Sequence, residues 1–557
     1  MLEKYKKMIC VWLCEFIERN GDMTTEKENQ RVSLRLYLLL SLCLGWVFDA
    51  LFWGKQAGIS FPIFLSLCLL AGLLLSWRER KPLHRNALLL ILPIGFFSVM
   101  VFFRSEPLTV FLNQLLTVAF IGLLVHSAVS GGWLRYGMLD YAVNIFLLLM
   151  DALVRPFLHS WSPPIDPAES VKKPGWRKRP EWRKIFPLVR GLLLALPFLL
   201  VFTCLLASAD PVFAKTLQQM FTLDQIPEYI IRVLFIAFLT YAFVGIFLHA
   251  FQRKLDSQSL YADRQVVPSF LGPIEASIVF LSVIALFGFF LVIQFQYFFG
   301  GQTNIHLDGF TYAEYAVRGF WELIAVAVIS LLMFLGLHAV TRRSGVWEGR
   351  TFSGLAVSLM LLVQVILYSA VARLNLYEEA YGFSRIRTYA HVFLVWVGIL
   401  FLAVILLEVV RRTRFGALAV LLSVVGFAVS LNLLNVDDFI VRRNVLRAGQ
   451  DADVDAAYLG SLSTDAIPAM NETFSGRSST IQETMGVSLA CHVFQNDHID
   501  TSWQAFQWSR EQARRIFGDI SESLVPYALQ VNDRGYPEVL FHSQTYSCLP
   551  DFQEMER

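Results

Sequence analysis

Charged residues are scarce in this sequence. Asp, Glu, Lys and Arg together make up 17% of its 557 residues, whereas apolar residues make up 55%. An average soluble protein has about 25% charged residues, because its surface must be hydrated. The shortage excludes a string of soluble domains, and the mean hydropathy of +0.53 is typical of a membrane protein. The formal net charge is only +2, so overall charge predicts no partner, and nothing in the sequence indicates nucleic-acid binding.

Cysteine is also rare, with seven residues in the whole chain. Most of them lie in apolar stretches, and only Cys491 and Cys548 lie in the hydrophilic C-terminal region. This distribution excludes a disulfide-rich scaffold. The two C-terminal cysteines permit one disulfide, and the alternative is a pair of free thiols in a small core.

The common catalytic signatures are missing. The sequence has no Gly-rich loop ending in Lys-Ser/Thr, which argues against direct coupling to ATP. It also has no HExxH, GxSxG or CxxC pattern, so the usual zinc, serine and dithiol sites are not expected. We therefore predict no cofactor and no metal site.

Long apolar runs are what the sequence has in abundance. Crossing the hydrocarbon takes about 20 apolar residues, and unpaired backbone groups in lipid are so costly that such runs must be helical. Runs of this kind lie near residues 33–53, 58–77, 87–103, 107–127, 188–208, 229–250, 274–296, 319–340, 352–371, 388–409 and 416–434. The expected fold is an all-α, polytopic transmembrane helical bundle of about eleven spans, with a small, mostly helical soluble C-terminal tail domain.

The distribution of Lys and Arg predicts the orientation, because basic loops stay in the cytoplasm. The basic clusters fall on one side of the eleven predicted spans, at residues 4–31, 78–85, 172–184, 253–264, 342–350 and 411–414. We therefore expect a cytoplasmic N-terminus and an extracytoplasmic tail. The predicted organisation is a cytoplasmic segment with an interfacial helix (1–32), four spans (33–127), an interfacial helix and basic cytoplasmic loop (128–187), seven spans (188–434) and the soluble tail (435–557).

Whether the number of spans is odd or even depends on residues 133–155. Asp140, Asn144 and Asp151 fall on one helical face of this apolar stretch. An Asp facing lipid at mid-bilayer costs about 2.5–3.5 kcal/mol. The helix therefore lies in the interface, which we favour, or forms a twelfth span with its polar stripe turned inward.

The basic loop at residues 171–185 combines positive charge with tryptophan. Such a loop suits contact with anionic lipid headgroups, worth about 1 kcal/mol per basic residue. The alternative is a plain topology signal. The lipid-contact candidates are Lys172, Lys173, Trp176, Arg177, Lys178, Arg179, Trp182, Arg183 and Lys184.

A first polar patch lies at residues 311–323, where the eighth apolar run begins. Glu314, Arg318 and Glu322 follow one another at intervals of four and stack along one helix face, flanked by Tyr312 and Tyr315. An ionisable group at the edge of a span indicates a functional site. The alternative is an ion-pair ladder that anchors the helix end.

A second polar patch lies at residues 377–391, on the tail side of the predicted topology. Its candidate functional residues are Glu378, Tyr381, Arg385, Arg387 and His391. Arg residues kept there against the charge rule predict pairing with the first patch or with an anionic substrate. A third group, which consists of Asp437, Asp438, Arg442 and Arg443, follows the last span on the same side. Convergence of these three groups is the main functional hint.

Five segments carry a family resemblance. They read TYAEYAVRGFWEL, AYGFSRIRTY, LNVDDFIVRRN, DAAYLGSLSTDAIPAM and WQAFQWSREQARR. Together they resemble bacterial membrane proteins of the domain-of-unknown-function families 4153 and 4173, over most of residues 270–520. A second Arg is usual in those proteins where this chain has Val317, whereas Arg318 matches. The resemblance implies a polytopic protein of the bacterial plasma (inner) membrane, and it implies no activity.

These features favour a non-catalytic protein that binds, senses or passes a solute or lipid at its outer face. The partners expected are membrane lipids and an unknown solute or protein. The first alternative is a membrane enzyme acting on a lipid-linked or phosphate-bearing substrate, with Glu322 or an Asp of the tail as base. The second is a scaffold for partner proteins.

Overall fold

The computed structural model describes most of the chain. The residues described are 35–161, 199, 202–203, 205–220, 228–252, 270–299, 320–342, 345–448, 454–476, 479–496, 502–532 and 536–548. They form two compact units. Unit 1 contains Met1–Trp53, Ser66–Leu83 and Asn144–Lys254, and unit 2 contains Gly54–Leu65, His84–Val143 and Leu255–Arg557.

Helices dominate both units. In chain order they are α1 (Arg35–Phe52), α2 (Ser60–Arg78), α3 (Arg85–Leu88), α4 (Ile91–Phe103), α5 (Pro107–Ser127), α6 (Met138–Trp161), α7 (Pro211–Met220), α8 (Glu228–Gln252), α9 (Pro273–Phe299), α10 (Phe320–Val340), α11 (Val346–Tyr381), α12 (Arg385–Val409), α13 (Gly416–Leu434), α14 (Val436–Ala448), α15 (Ala456–Gly460), α16 (Ile467–Gly476), α17 (Ser479–Asn496) and α18 (Trp508–Ile520).

Ten of the helical segments in the described residues are long and apolar enough to cross a membrane. They are α1, α2, α3 with α4, α5, and α8 to α13, which confirms a polytopic helical membrane protein. They match ten of the eleven predicted spans, and the remaining one, 188–208, lies largely outside the described residues. Helix α11 has 36 residues and is therefore about 54 Å long at 1.5 Å per residue. Since the hydrocarbon layer is about 30 Å thick, the ends of α11 extend beyond it.

One face of unit 2 carries the C-terminal domain, and we call it the tail face. The loop between α1 and α2 bonds to this domain through Ile59 N–H and the Phe506 carbonyl, 2.9 Å apart. The loop between α4 and α5 does so through Ser105 N–H and Asp465 Oδ2, 3.0 Å apart. Arg385 N–H, after the loop between α11 and α12, donates to the Tyr458 hydroxyl at 2.8 Å. All three connections therefore lie at the tail face.

The opposite face of unit 2 holds the start of α9. Leu271 and Thr341 form a β-bridge, so α9 begins where α10 ends and α11 follows. Helix α11 reaches the tail face at its end, which places its start on the opposite face. Helix α5 begins at the tail face and also ends on the opposite face. The end of α5 and the start of α9 therefore lie on the same face of unit 2.

The C-terminal domain packs α14–α18 against a three-stranded antiparallel sheet. The strands are β1 (Ala528–Val531), β2 (Pro537–Phe541) and β3 (Gln544–Ser547), in the order β1-β2-β3. Its core is apolar and includes Ile440, Met470 and Leu489, none of which has measurable exposure. Cys491 of α17 and Cys548, directly after β3, form a disulfide.

Helix α6 packs one face against protein, and Asn144 is the member of its predicted polar stripe that is buried there. Asn144, Leu148 and Ala152, at intervals of four, are buried along one face. In unit 1 this face meets α8 so closely that a Cβ added to Gly245 would lie 2.0 Å from the Ala152 carbonyl oxygen. Whether α6 lies in the interface or spans stays a prediction.

Candidate functional site

A connected set of polar side chains joins the spans of unit 2 to the C-terminal domain. We call it the junction cluster, and it consists of Arg104, Glu106, Arg385, Tyr389, Asp437 and Asp465.

Arg385 and Asp437 form the strongest contact of the junction cluster. Helix α11 ends at Tyr381 and is followed by Gly382, whose φ of +81° strongly favours glycine, and α12 then begins at Arg385. The Arg385 Nε and Nη2 donate to the Asp437 Oδ1 and Oδ2, at 2.8 and 2.6 Å. Asp437 is fully buried, and its Oδ2 also accepts a hydrogen bond from Ser463 N–H at 2.7 Å. This bidentate pair therefore fastens α12 to α14 and to the tail.

Glu106 connects two membrane helices at the tail face. It precedes Pro107, and its carboxylate accepts hydrogen bonds from Leu108 N–H and Thr109 N–H, at 2.9 and 2.6 Å. It is thus the N-cap of α5, where an acidic side chain is favoured. The Tyr389 hydroxyl of α12 donates to the same carboxylate at 2.5 Å.

Asp465 holds the loop between α4 and α5 against the C-terminal domain. Its Oδ2 accepts hydrogen bonds from Ser105 N–H and Glu106 N–H, at 3.0 and 3.1 Å. Burial raises the pKa of Asp465, although hydrogen bonds and the nearby Arg104 charge oppose the shift. Burial likewise raises the pKa of the neighbouring Tyr458 to about 12, so this side chain remains a neutral phenol.

A cavity of about 350 Å³ lies beside the cluster, within unit 2. We call it the junction pocket, and it is lined by Met100, Phe103, Arg104, Asn435, Asp465, Pro468, Trp508, Ser509 and Gln512. Arg104 Nη2 donates to the Asn432 carbonyl at 2.6 Å. Within the described residues, Arg104 Nε and Asn435 Oδ1 are buried atoms without a hydrogen-bond partner. Arg104 and Asn435 thus line the pocket, and each also has one polar atom that is shielded from solvent.

The backbone conformation of Asn435 places this residue at the pocket. Its φ of 52° is left-handed, a conformation that Asn tolerates better than most residues. This residue ends α13 and lets α14 begin at Val436 in a new direction. The change of direction brings the amide to the pocket wall.

The second predicted patch forms the turn between α11 and α12. Glu378 is buried, and its carboxylate lies 3.4 Å from His391 Nδ1. Arg387 donates to the carbonyls of Tyr381 and Gly382, at 3.1 and 2.5 Å, and its guanidinium lies 4.0 Å from the Tyr377 ring centre. Two basic residues of the second patch, Arg387 and His391, thus contact groups of the patch itself. The third, Arg385, pairs with Asp437 of the third group.

Much of the first patch lies outside the described residues. This holds for Tyr312, Glu314, Tyr315 and Arg318, and for every lipid-contact candidate of the basic loop. Glu322 is described and is exposed on α10. The roles assigned to these residues stay predictions.

Sequence reasoning overlooked Glu106, Tyr389 and Asp465. A signal existed for Glu106, because an acidic residue directly before Pro at the start of an apolar run is typical of a helix N-cap. Tyr389 and Asp465 meet their partners only through tertiary packing, 283 and 359 positions apart. No local pattern indicates such pairs. Across the described part of the chain, no group of three His, Cys, Asp or Glu residues is arranged to hold a metal ion.

The family model described as Domain of unknown function (DUF4153) matches residues 91–473. The chain belongs to this family. The DUF4153 region begins at the first residue of α4 and ends in α16, so it contains all six residues of the junction cluster. The pocket residues Trp508, Ser509 and Gln512 follow the matched region. No curated protein and no solved structure matches the chain.

Proposed function

We propose that this DUF4153 protein has no catalytic role of its own, and that it binds a solute or lipid in the junction pocket at the tail face. In this proposal the C-terminal domain senses whether the pocket is occupied. The observation that carries it is Arg104, a cation on the wall of a half-open, partly apolar pocket.

The electrostatics of Arg104 support binding of an anion. Among the residues that the structure describes, its hydrogen-bond partner is a neutral carbonyl, and it forms no ion pair. Arg104 is partly buried, and burial raises the pKa of the neighbouring Asp465 carboxyl, so an anionic ligand would supply the guanidinium with a counter-charge. The volume of about 350 Å³ suits a small organic ligand.

The composition of the pocket wall supports sensing. Arg104 follows the last residue of the span that ends with α4, whereas Pro468 and Trp508 belong to α16 and α18 of the C-terminal domain. A ligand that contacts both the end of α4 and the C-terminal domain would favour the arrangement in which the domain is packed against α4. Occupancy would therefore change how firmly the C-terminal domain is held.

We further propose that the tail face is extracytoplasmic in a bacterial plasma membrane. Two observations support this orientation. In the predicted topology the basic clusters of the sequence fall on the opposite side, as cytoplasmic loops do. The Cys491–Cys548 disulfide suits an oxidising compartment. A reporter enzyme fused after Arg557 tests it, and activity in the cytosol would contradict it.

The binding proposal is tested with the purified full chain. An anionic amphiphile, such as a short-chain phosphatidylglycerol, should raise the melting temperature of the wild type but not of Arg104→Gln. Arg442→Gln is the matched control, because Arg442 is an exposed arginine that pairs with Asp438 and Glu472 outside the pocket. Equal shifts in the two variants would contradict the proposal.

A second candidate, an enzyme acting on a phosphate-bearing substrate, is favoured by one observation. Asp465 lines the same pocket as Arg104, and burial raises the pKa of its carboxyl, as suits a general acid or base. Asp465→Asn keeps an oxygen that accepts the two backbone hydrogen bonds. Loss of turnover with binding intact in this variant would favour the enzyme.

A further inference from the structure

We infer that the ligand of the junction pocket is a membrane lipid whose phosphate-bearing headgroup lies at Arg104 and whose acyl chains leave past Met100 and Phe103. This inference rests on the proposed function and deepens it by naming the class of ligand.

The polar half of the pocket suits a phosphate. A guanidinium is the side chain best adapted to phosphate oxygens, and Arg104 lines the pocket with a neutral carbonyl as its hydrogen-bond partner within the described part of unit 2. Asn435 and Gln512 add amide groups, which donate N–H to phosphate oxygens. Asp465 opposes an anion only when it is ionised, and burial raises its pKa.

The apolar half of the pocket favours a lipid over a soluble phosphate. Met100 and Phe103 belong to the last turn of α4, inside a candidate span, so this wall continues into the bilayer. Phe103 is 39% exposed and Trp508 is 45% exposed, although both are large aromatic residues. Aromatic side chains exposed at the end of a span are typical of the boundary between hydrocarbon and headgroups. A soluble anion would need no such wall.

The neighbouring segment places the pocket at the level of the bilayer edge. Gln507 Nε2 donates to the Val101 carbonyl at 3.2 Å, in the last turn of α4. Phe506 accepts a hydrogen bond from Ile59 N–H, just before α2, and its ring lies 5.8 Å from the Phe102 ring. Residues 506–508 therefore lie beside the ends of two candidate spans. A lipid of the adjacent leaflet can reach the pocket with its chains still in hydrocarbon.

Native mass spectrometry of the full chain in detergent tests the inference with three probes of matched chemistry. Dihexanoyl phosphatidylglycerol has both a phosphate and acyl chains, dihexanoyl glycerol lacks the phosphate, and glycerol 3-phosphate lacks the chains. We expect phosphatidylglycerol to bind at least tenfold more tightly than either of the others. Arg104→Gln should weaken its binding about tenfold, which equals about 1.4 kcal/mol, and Arg442→Gln should leave it unchanged.

A second variant tests the pocket independently, in case Arg104→Gln fails to fold. Asn435→Gly removes the amide but keeps a residue that adopts a positive φ readily. It should also weaken phosphatidylglycerol binding, with the melting temperature of the empty protein nearly unchanged.

The outcomes separate this inference from the proposed function. Glycerol 3-phosphate that binds as tightly as phosphatidylglycerol would overturn the lipid assignment and leave a phosphate-binding pocket. Equal binding of dihexanoyl glycerol would overturn the role of the phosphate. If phosphatidylglycerol binding were unaffected by both pocket variants, the junction pocket would not be the binding site, and the proposed function would fail with it.

Discussion

Arg385 and Asp437 form a buried bidentate ion pair between a membrane helix and the C-terminal domain, with nitrogen–oxygen distances of 2.8 and 2.6 Å. Breaking such a pair by removing one partner costs about 3–5 kcal/mol, because the other charge stays buried and uncompensated. We expect Asp437→Ala to lower the free energy of unfolding by that amount. We also expect Arg385→Lys to lower the stability substantially although it keeps the positive charge, because an ammonium group cannot make the two parallel hydrogen bonds of the guanidinium.

Thermal unfolding and limited proteolysis of the purified protein measure this effect. Asp438→Ala is the matched control on the next residue, because its partner Arg442 is half-exposed and such surface pairs are worth about 0–1 kcal/mol. Similar losses in the Asp437 and Asp438 variants would show that the buried pair is not a main support of the domain.

The hydrogen bond from Tyr389 to Glu106 gives a second prediction. Tyr389→Phe deletes the hydroxyl but keeps the ring, and leaves the cap of α5 intact. We expect a loss of about 1–3 kcal/mol, since a buried carboxylate then lacks one donor. Glu106→Gln retains an acceptor for the cap and should cost less than Glu106→Ala. The melting temperatures of the three variants test this order, and the reverse order would contradict the assigned roles.

His492 predicts how stability depends on pH. Burial lowers its pKa from 6.5 to about 4, although the Leu459 backbone and the Asp437 charge favour the protonated form. Between these values the unfolded chain binds more protons than the folded one. The stability due to neutral His492 is therefore complete above pH 6.5 and falls by about 3 kcal/mol as the pH drops to 4.

Unfolding at a series of pH values tests this slope, with His492→Gln as the comparison. The variant should lose most of the pH dependence in this window. The raised pKa of Asp465 acts in the opposite direction, because that carboxyl favours the folded state more as it becomes protonated. An unchanged slope in His492→Gln would assign the pH dependence to other groups.

The close approach of α6 and α8 gives a fourth prediction. A Cβ on Gly245 would lie 2.0 Å from a backbone oxygen of Ala152, which has little room to yield. Gly245→Ala should therefore cost about 1–3 kcal/mol, as overpacking does. Gly288→Ala is the matched control in another span, because nothing lies within 4 Å of its added Cβ. Comparable melting temperatures for the two variants would contradict the packing of these helices.

The sequence predicted the spans well and the junction cluster poorly, for a physical reason. The length of an apolar run is a local property, and lipid leaves the backbone no alternative to a helix. The partner of a polar side chain is not local. The sequence predicts that Arg385 pairs with the first patch or with an anionic substrate, whereas in the structure its partner is Asp437 of the third group. The pocket walls come from residues 100–104, 435, 465–468 and 508–512, and only folding brings them together.

Because α5 ends and α9 begins at the same face of unit 2, the direction of the helices from α9 onwards depends only on whether the number of crossings between residues 128 and 272 is even. A chain that gained or lost a pair of crossings there would keep every later helix in the same direction. Arg104, which precedes this stretch, and Asp465, which follows it, would still meet at one membrane surface. Paired changes in the number of spans between α5 and α9 would therefore leave the C-terminal domain on the same side of the membrane.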